Sequence, residues 1–314
     1  MNTMFGKNKQ YEVVYWDIVG RCNAHCKYCF TGNKRHPGGG EIDVTKFSEG
    51  LKILISNKLL SPSGCIHLYV WGEPTLHSRF GDIIEILQRD GLHYYLSSNF
   101  GHTIDFKSEW FLNLDGIIAS MPGFSQESYD RIHKLNFASV INNITQFVDN
   151  AKFSGFNTKK ITIAHHLYQF NIDEIPKIYR FAKGLNVTYH PYYALLGDLD
   201  LTYRFLKGEL SQNESKEISS EVFGNSIIKR YENHPRKGCR QFQRLVLDEN
   251  CNILTCCCLP RNSEFYKIVN VFDPNLMEIL NGWEPNDNCK RCINSGLSQY
   301  DEKGLGNFDL KNWF

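Results

Sequence analysis

Six short apolar stretches alternate with amphipathic stretches between about residues 12 and 195, and this alternation restricts the possible folds most. The six are rich in β-branched and aromatic residues and nearly continuous in apolar character, as strands buried on both faces are. They are YEVVYWDI (11–18), CIHLYVWG (65–72), LHYYLSSN (92–99), DGIIAS (115–120), KKITIAHH (159–166) and NVTYHPYY (186–193). Repeated β/α units with right-handed crossovers predict a parallel sheet, either open or curled into a partial barrel.

Two of the intervening segments have clear helical patterns. In RFGDIIEILQRD, the apolar residues Phe80, Ile83, Ile84 and Leu87 share one helical face. The segment NIDEIPKIYRFAKG (171–184) predicts a helix with Asn171 as its N-cap and Gly184 as its C-cap, with Pro176 tolerated near the first turn.

The carboxyl ends of the predicted strands carry polar or glycine-rich sequence. Functional sites on parallel sheets lie at this edge. The first strand is followed at once by Cys22, Cys26 and Cys29, and later strands end at WGEP, SSNFG and SMPG. We therefore expect a functional site at this edge, with the three cysteines in it.

Composition excludes several classes of protein. Of 314 residues, 35 are Lys or Arg and 34 are Asp or Glu, so the net charge of +1 gives no sign of a nucleic-acid partner. No apolar run reaches the roughly 20 residues that span a bilayer. The start of the chain, MNTMFGKNKQ, is polar and does not resemble a signal peptide. We expect a cytoplasmic protein without a membrane partner.

Ten of the 11 cysteines are clustered near the two ends of the sequence, and only Cys65 lies between the clusters. Disulfides are rare in the cytosol, and an odd, clustered set favours metal ligation. Three thiolates are one fewer than a structural zinc site or a fully ligated iron–sulfur cube requires. A cube held by three would leave one iron open to a small molecule, whereas a zinc knuckle is the structural alternative.

The segment CNAHCKYC (22–29), with Tyr28 before its last cysteine, resembles the C-x3-C-x2-C motif of the radical S-adenosylmethionine (SAM) superfamily. The resemblance implies a partial TIM-like (β/α)6 barrel in which Cys22, Cys26 and Cys29 bind a [4Fe–4S] cluster. The open iron would bind SAM, and one electron would cleave SAM to methionine and a 5′-deoxyadenosyl radical that abstracts a substrate hydrogen.

Other sequence elements follow in the order that this superfamily has, over about residues 12–195. The segment VWGEPTLH resembles the family's Gly-Glu-Pro motif, whose backbone binds the amino group of SAM. Polar residues after the third and fourth strands often face the carboxylate and ribose of SAM, and an arginine that follows can pair with the carboxylate. The implied cofactor-binding residues are Tyr28, Trp71, Gly72, Glu73, Pro74, Ser97, Asn99, Ser120 and Arg131.

The alternation stops after about residue 196. The sequence predicts one helix over 211–233 and two short strands in RLVLDENCNILTC (244–256), and we expect three regions: a barrel core (1–195), a helical linker (196–235) and a small α+β cysteine-rich domain (236–314). Four cysteines of the last region, Cys239, Cys256, Cys289 and Cys292, can converge on zinc or on a second [4Fe–4S] cluster.

The order of these four cysteines resembles the twitch domain, a short form of the SPASM domain that holds one auxiliary cluster. Cys256 has the best spacing for a ligand, but Cys257 and Cys258 directly follow it. Cys251 stands where the family usually has Gly. Cysteines outside the ligand set can be buried as small apolar residues, or can donate a hydrogen atom to a substrate radical, as in some twitch-type epimerases. Cys251, Cys257 and Cys258 are the candidate donors.

The sixth strand places His190 and Tyr192 towards the same edge as candidate proton acceptors or hydrogen-bond donors. The resemblance implies oxidation or epimerisation of a small polar molecule such as a sugar or aminocyclitol in natural-product biosynthesis. Modification of a ribosomal peptide is the alternative. Enzymes that modify such peptides often carry an N-terminal leader-binding domain, and the first strand here begins near residue 11, which favours the small substrate. Flavodoxin or ferredoxin is the expected electron donor. A non-catalytic, zinc-stapled binding protein is the remaining alternative.

Overall fold

The computed structural model describes residues 5, 9–33, 37–194, 196–223 and 238–299. Within these residues, one sheet contains nine strands in the order β6-β5-β4-β3-β2-β1-β7-β8-β9. The strands are β1 Tyr11–Trp16, β2 Leu60–His67, β3 His93–Ser98, β4 Leu114–Met121, β5 Ile161–Leu167, β6 Thr188–Tyr193, β7 Leu245–Leu247, β8 Asn252–Leu254 and β9 Lys267–Asn270. Strands β1 to β6 are all parallel to their neighbours, which confirms the predicted α/β partial barrel.

Helices connect the parallel strands and cover the outside of the sheet. The described helices are α1 Val44–Ser56, α2 Phe80–Arg89, α3 Gln126–Arg131, α4 Phe137–Phe153, α5 Ile175–Leu185, α6 Leu199–Lys207, α7 Gln212–Glu221, α8 Leu276–Gly282 and α9 Asp287–Ser295. None of them is long and apolar enough to cross a membrane.

Helix α1 illustrates how the core forms. Asp43 caps its amino terminus by accepting a hydrogen bond from the amide of Lys46 at 3.0 Å. Its apolar face buries Phe47, whose ring lies 4.9 Å from that of Trp16 on β1. Burial of one such side chain contributes about 1.5–3 kcal/mol. The amphipathic pattern therefore fixes which face of the helix covers the sheet.

Strand β2 differs most from its predicted position, since it covers Leu60–His67 rather than 65–72. The amides of Val70, Trp71 and Gly72 bond to the carboxylate of Asp17 instead of joining the ladder. The apolar pattern alone does not distinguish an extended segment that pairs in the sheet from one whose amides bond to a side chain.

Two helical predictions also need correction. Helix α5 begins at Ile175 after a short 3-10 turn and ends against Asn186, whose φ of 61° is left-handed, so Gly184 lies inside the helix. Helix α7 ends at Glu221, and Val222 already has extended backbone. Residues 224–237 lie outside the described part, so the predicted helix over 211–233 is supported only in its first half.

The predicted C-terminal hairpin is present, with Leu247 opposite Ile253 in an antiparallel pair. Strand β7 also pairs in parallel with β1, Val14 being opposite Leu245. The hairpin thus extends the barrel sheet beyond its first strand and places the C-terminal cysteines beside the barrel opening. The three predicted regions, 1–195, 196–235 and 236–314, stay a prediction.

Candidate active site and auxiliary cysteine site

A cavity of about 330 Å³ opens at the carboxyl edge of the barrel strands. Cys22, Cys26 and Cys29 all line it. The cysteine loop is tightly folded, since a Cβ on Gly32 would lie 2.4 Å from the amide nitrogen of Cys26. Of the other residues predicted from the sequence, those lining the cavity are Tyr28, Trp71, Gly72, Glu73, Ser97, Asn99, Ser120 and Tyr192.

The three thiols have the chemistry of metal ligands. Burial raises the pKa of Cys22 to about 12 and also raises the pKa values of Cys26 and Cys29. Buried thiolates are costly without a nearby cation. The Cys22 sulfur accepts hydrogen bonds from the amide of Ala24 (3.4 Å) and the side-chain amide of Asn99 (3.3 Å). These residues fit a positively charged iron group better than three unrelated thiols.

The Trp71-Gly72 segment is held by a buried carboxylate that the sequence analysis did not identify. Asp17, at the end of β1, accepts hydrogen bonds from Val70, Trp71 and Gly72 at 3.0–3.1 Å. Burial raises the pKa of Asp17 to about 6. Gly72 has no room for a side chain, because a Cβ would lie 1.6 Å from the carbonyl oxygen of Val19.

Glu73 joins the ends of two strands. Its side chain is buried and accepts hydrogen bonds from the amide of Asn99 (2.8 Å) and the hydroxyl of Thr75 (2.6 Å). Burial raises the pKa of this carboxyl group. Pro74 is buried at the start of the following 3-10 turn and does not itself line the cavity.

Polar side chains from β3 and β4 meet on the cavity wall. The hydroxyl oxygens of Ser97 and Ser120 lie 3.4 Å apart. From β6, the hydroxyl of Tyr192 bonds to Nε2 of His166, which also lines the cavity. The side chain of His190 is exposed and is not part of the cavity lining.

His133 lines the cavity, whereas Arg131, the residue predicted from the sequence of the same segment, does not. His133 is buried, and its Nδ1 has no hydrogen-bond partner among the described residues. Burial and the adjacent His166 lower its pKa to about 3, so the ring is neutral. An unsatisfied buried nitrogen in a cavity wall is available to a ligand or to an ordered water. His133 lies two residues after the end of α3. The position at which α3 ends, which decides that His133 faces the cavity, cannot be read from a single sequence.

Arg131 lies on the outer side of the cysteine loop. Its guanidinium stacks on Phe170 at 3.9 Å and lies 3.6 Å from the carboxylate of Glu221 on α7. The same carboxylate accepts a hydrogen bond from the Tyr28 hydroxyl at 2.5 Å and pairs with Lys27 at 2.7 Å. Glu221 therefore fastens the segment between Cys26 and Cys29 to helix α7.

The four predicted auxiliary ligands also share one cavity. Cys239, Cys256, Cys289 and Cys292 line it together. Cys289 and Cys292 lie on α9, whose N-cap Asn286 accepts a hydrogen bond from the Cys289 amide at 3.0 Å. Burial raises the pKa of Cys289 to about 11 and that of Cys292 to about 12. The chemistry of this set fits a bound metal centre.

The three adjacent cysteines, Cys256, Cys257 and Cys258, also face a second space. The sulfurs of Cys256, Cys257 and Cys258 lie within 4.8 Å of one another. All three line a further cavity of about 290 Å³, together with Cys239 and Cys292 of the auxiliary set.

Cys251 is packed away from these cavities. It is buried in the main apolar core, in the turn between β7 and β8, with a left-handed φ of 61°. Burial raises its pKa to about 12. The left-handed backbone is the physical reason that glycine suits this position.

Comparisons with known proteins agree with this arrangement. Residues 16–182 match the profile of the Radical SAM superfamily. A tungsten-containing aldehyde ferredoxin oxidoreductase cofactor-modifying protein of Pyrococcus furiosus is 32% identical over 90 residues, 28% of this chain. The match spans only 24% of that relative.

Three solved structures share the fold. Streptococcus suis SuiB bound to S-adenosylmethionine has a TM-score of 0.58 at 14% identity over 93% of this chain and 72% of SuiB. SuiB bound to the precursor peptide SuiA has a TM-score of 0.56 at 14% identity, over 93% and 71%. The protein anSMEcpe, with bound AdoMet and a Cp18Cys peptide, has a TM-score of 0.54 at 15% identity, over 91% and 82%.

Proposed function

Because the chain belongs to the radical SAM superfamily, we propose that it abstracts a hydrogen atom from a substrate held between its two cysteine sites. Its cofactors are a [4Fe–4S] cluster and SAM, and its C-terminal cysteines fit an auxiliary cluster. Cys22, Cys26 and Cys29 would hold the cluster, which together with SAM and one electron would supply the radical that removes the substrate hydrogen. Flavodoxin or ferredoxin supplies that electron in this proposal.

One observation carries the proposal. The cavity with Cys22, Cys26 and Cys29 adjoins the cavity with Cys256, Cys257 and Cys258. Both are lined by Tyr69, Val70, Trp71 and Gly197. A substrate in the second cavity would thus lie beside SAM in the first and beside the auxiliary cysteines.

We assign the binding of SAM to residues of the first cavity. The backbone of Gly72 and Glu73 would bind its amino group, and Ser97 and Ser120 its polar oxygens. Nδ1 of neutral His133 would accept or donate one further hydrogen bond, in the role predicted for Arg131. Tyr28 would pack against the ligand as part of the cavity wall.

The second cavity suits a small substrate. Its lining combines apolar side chains with the polar groups of Thr202, Gln241 and Ser298, a combination typical of small-molecule sites. We infer oxidation or epimerisation of a small polar molecule of the sugar or aminocyclitol kind. An epimerase returns a hydrogen atom from a thiol, whereas a dehydrogenase removes a second electron and a proton from the substrate.

Among the candidate thiol donors, Cys257 and Cys258 line the second cavity and Cys251 lies in the core. Replacing Cys257 and Cys258 by Ser, with Cys251→Ser as the matched control, separates the two reactions. Loss of turnover with continued deoxyadenosine formation in one of the first two variants supports epimerisation. Full turnover in both contradicts the thiol-donor reaction.

Modification of a peptide is the second candidate. Two structures that share the fold hold peptides, SuiA in SuiB and the Cp18Cys peptide in anSMEcpe. A peptide would place one side chain in the cavity and leave the remainder outside. A small substrate would instead be enclosed.

The central test uses anaerobically reconstituted protein with dithionite and SAM. We expect release of 5′-deoxyadenosine and about eight irons per chain, the content of two [4Fe–4S] clusters. Colourless protein that contains zinc, with no deoxyadenosine, would overturn the proposal in favour of a zinc-stapled binding protein.

A further inference from the structure

Trp71 forms a wall between the two cavities and bonds to the auxiliary cysteine turn. Its half-buried side chain lines both cavities. The indole Nε1 donates a hydrogen bond to the carbonyl oxygen of Cys257. Since Cys257 follows Cys256 directly, this bond reaches the turn that presents the predicted auxiliary ligand.

The main chain of Trp71 is anchored on the opposite side. Its amide and the next amide, of Gly72, bond to the same carboxylate of Asp17 at 3.1 Å each. The chain continues directly into Glu73 on the wall of the first cavity. One residue is therefore fixed by its backbone to the proposed SAM site and by its side chain to the auxiliary site.

The indole has little freedom to move independently of these anchors. Its edge packs against the ring of Phe30 with centroids 4.7 Å apart. On another side, a Cβ on Gly197 would lie 2.9 Å from the indole ring. A rigid side chain packed on several sides transmits displacement rather than absorbing it.

We propose that Trp71 is a positioning residue that couples SAM binding to the auxiliary cysteine site, an inference that rests on the proposed function above. A ligand that shifts the backbone of residues 71–73 moves the donor of the bond to Cys257. Coupling between two binding sites is reciprocal, so loss of the auxiliary site weakens SAM binding by the same factor.

The test is a double-mutant cycle that measures SAM affinity by anaerobic titration calorimetry on cluster-reconstituted protein. The variants are Cys256→Ala, Trp71→Phe and their combination. Trp71→Phe keeps an aromatic ring and removes the N–H donor. Trp110→Phe is the matched control, because the buried indole nitrogen of Trp110 has no hydrogen-bond partner among the described residues.

We expect Cys256→Ala to weaken SAM binding about fivefold to tenfold in the Trp71 background. In the Trp71→Phe background the same change should have less than about a twofold effect. Trp110→Phe should leave SAM affinity and its response to Cys256→Ala unchanged. Equal effects of Cys256→Ala in both backgrounds, or none in either, would overturn the coupling.

Two further measurements keep the inference testable if Trp71→Phe does not fold. Trp71→Leu removes the indole and its N–H and keeps an apolar side chain, so it should also reduce the coupling. The electron paramagnetic resonance spectrum of the auxiliary centre should change on addition of SAM in wild-type protein and not in Trp71→Leu. An unchanged wild-type spectrum contradicts the coupling. If the double-mutant cycle shows the expected coupling but no deoxyadenosine is formed, only the proposed function is contradicted.

Discussion

The carboxylate of Asp17 accepts a hydrogen bond from the amide of Gly72, 55 positions further along the chain, at 3.1 Å. The amides of Val70 and Trp71 bond to the same group. Asp17 thus holds the segment that leads into Glu73 next to the end of β1. Without this acceptor, three consecutive amides would lack partners at a partly buried position, which is costly.

The pH dependence of stability should report on Asp17. Burial raises its pKa from 3.8 to about 6, so the native state holds the proton more tightly than the unfolded chain. The stabilisation from this group is fully present below pH 3.8 and is lost as the pH rises through about 6. A pKa change of this size corresponds to about 3 kcal/mol.

Urea unfolding of wild-type protein and Asp17→Asn between pH 4 and about pH 7 isolates this contribution. The other carboxyl groups titrate in both proteins, so their effects cancel in the difference. We expect the wild-type unfolding free energy to fall relative to the variant as the pH rises. A difference that stays flat or rises would show that burial does not control this carboxyl group.

The choice of auxiliary ligand among three adjacent cysteines can be tested by iron content. Cys256 lines the cavity that also holds Cys239, Cys289 and Cys292, whereas Cys257 and Cys258 do not line it. Cys256→Ala should therefore lower the iron content from about eight to about four per chain. Cys257→Ala and Cys258→Ala are the matched controls and should retain about eight. Iron and sulfide analysis after anaerobic reconstitution measures this, and loss of iron in a control would assign the ligand differently.

Much of the barrel was predictable because its physical signals are local. Apolar strands, amphipathic helices and the cysteine spacing need no information from distant residues, and the structure confirms the partial barrel that they predict. The WGEP segment was recognisable for the same reason. The match to the radical SAM profile confirms the family that these signals indicated.

Other features depend on contacts between distant segments. The parallel pairing of Val14 with Leu245 and the bonds from Asp17 to residues 70–72 join parts of the chain with no shared local pattern. Whether Arg131 or His133 faces the cavity depends on how α3 ends, because positions two apart on a helical turn point in different directions. Such choices are decided by packing.

Glu221 provides a test of how the cysteine loop is held. Its carboxylate contacts Lys27, Tyr28 and Arg131, and its side chain is only 13% exposed. Glu221→Ala removes the shared partner of two residues that lie between Cys26 and Cys29. Since hydrogen bonds to a charged group contribute about 1.5–3 kcal/mol each, the loop should open more often.

The measurement is the rate at which an iron chelator removes iron from anaerobic protein. We expect about tenfold faster loss of the iron bound near Cys22, Cys26 and Cys29 in Glu221→Ala. Glu85→Ala is the control, because Glu85 forms an exposed pair with Lys107 at 3.5 Å on another face. Equal rates in all three proteins would show that Glu221 does not hold the loop.

His133 and Arg131 give opposite expectations for SAM affinity. Nδ1 of His133 is buried, lines the first cavity and lacks a partner among the described residues. Arg131 lies outside that cavity, stacked on Phe170.

His133→Phe should weaken SAM binding about tenfold, which is the loss of one hydrogen bond to a charged ligand. His133→Asn places a polar atom near the Nδ1 position and should recover part of the affinity, whereas Arg131→Ala should change it by less than about twofold. Equilibrium dialysis of SAM against the reconstituted proteins measures all three. A larger loss in Arg131→Ala than in His133→Phe would return the carboxylate-binding role to the arginine, and it would mean that α3 ends differently when SAM is bound.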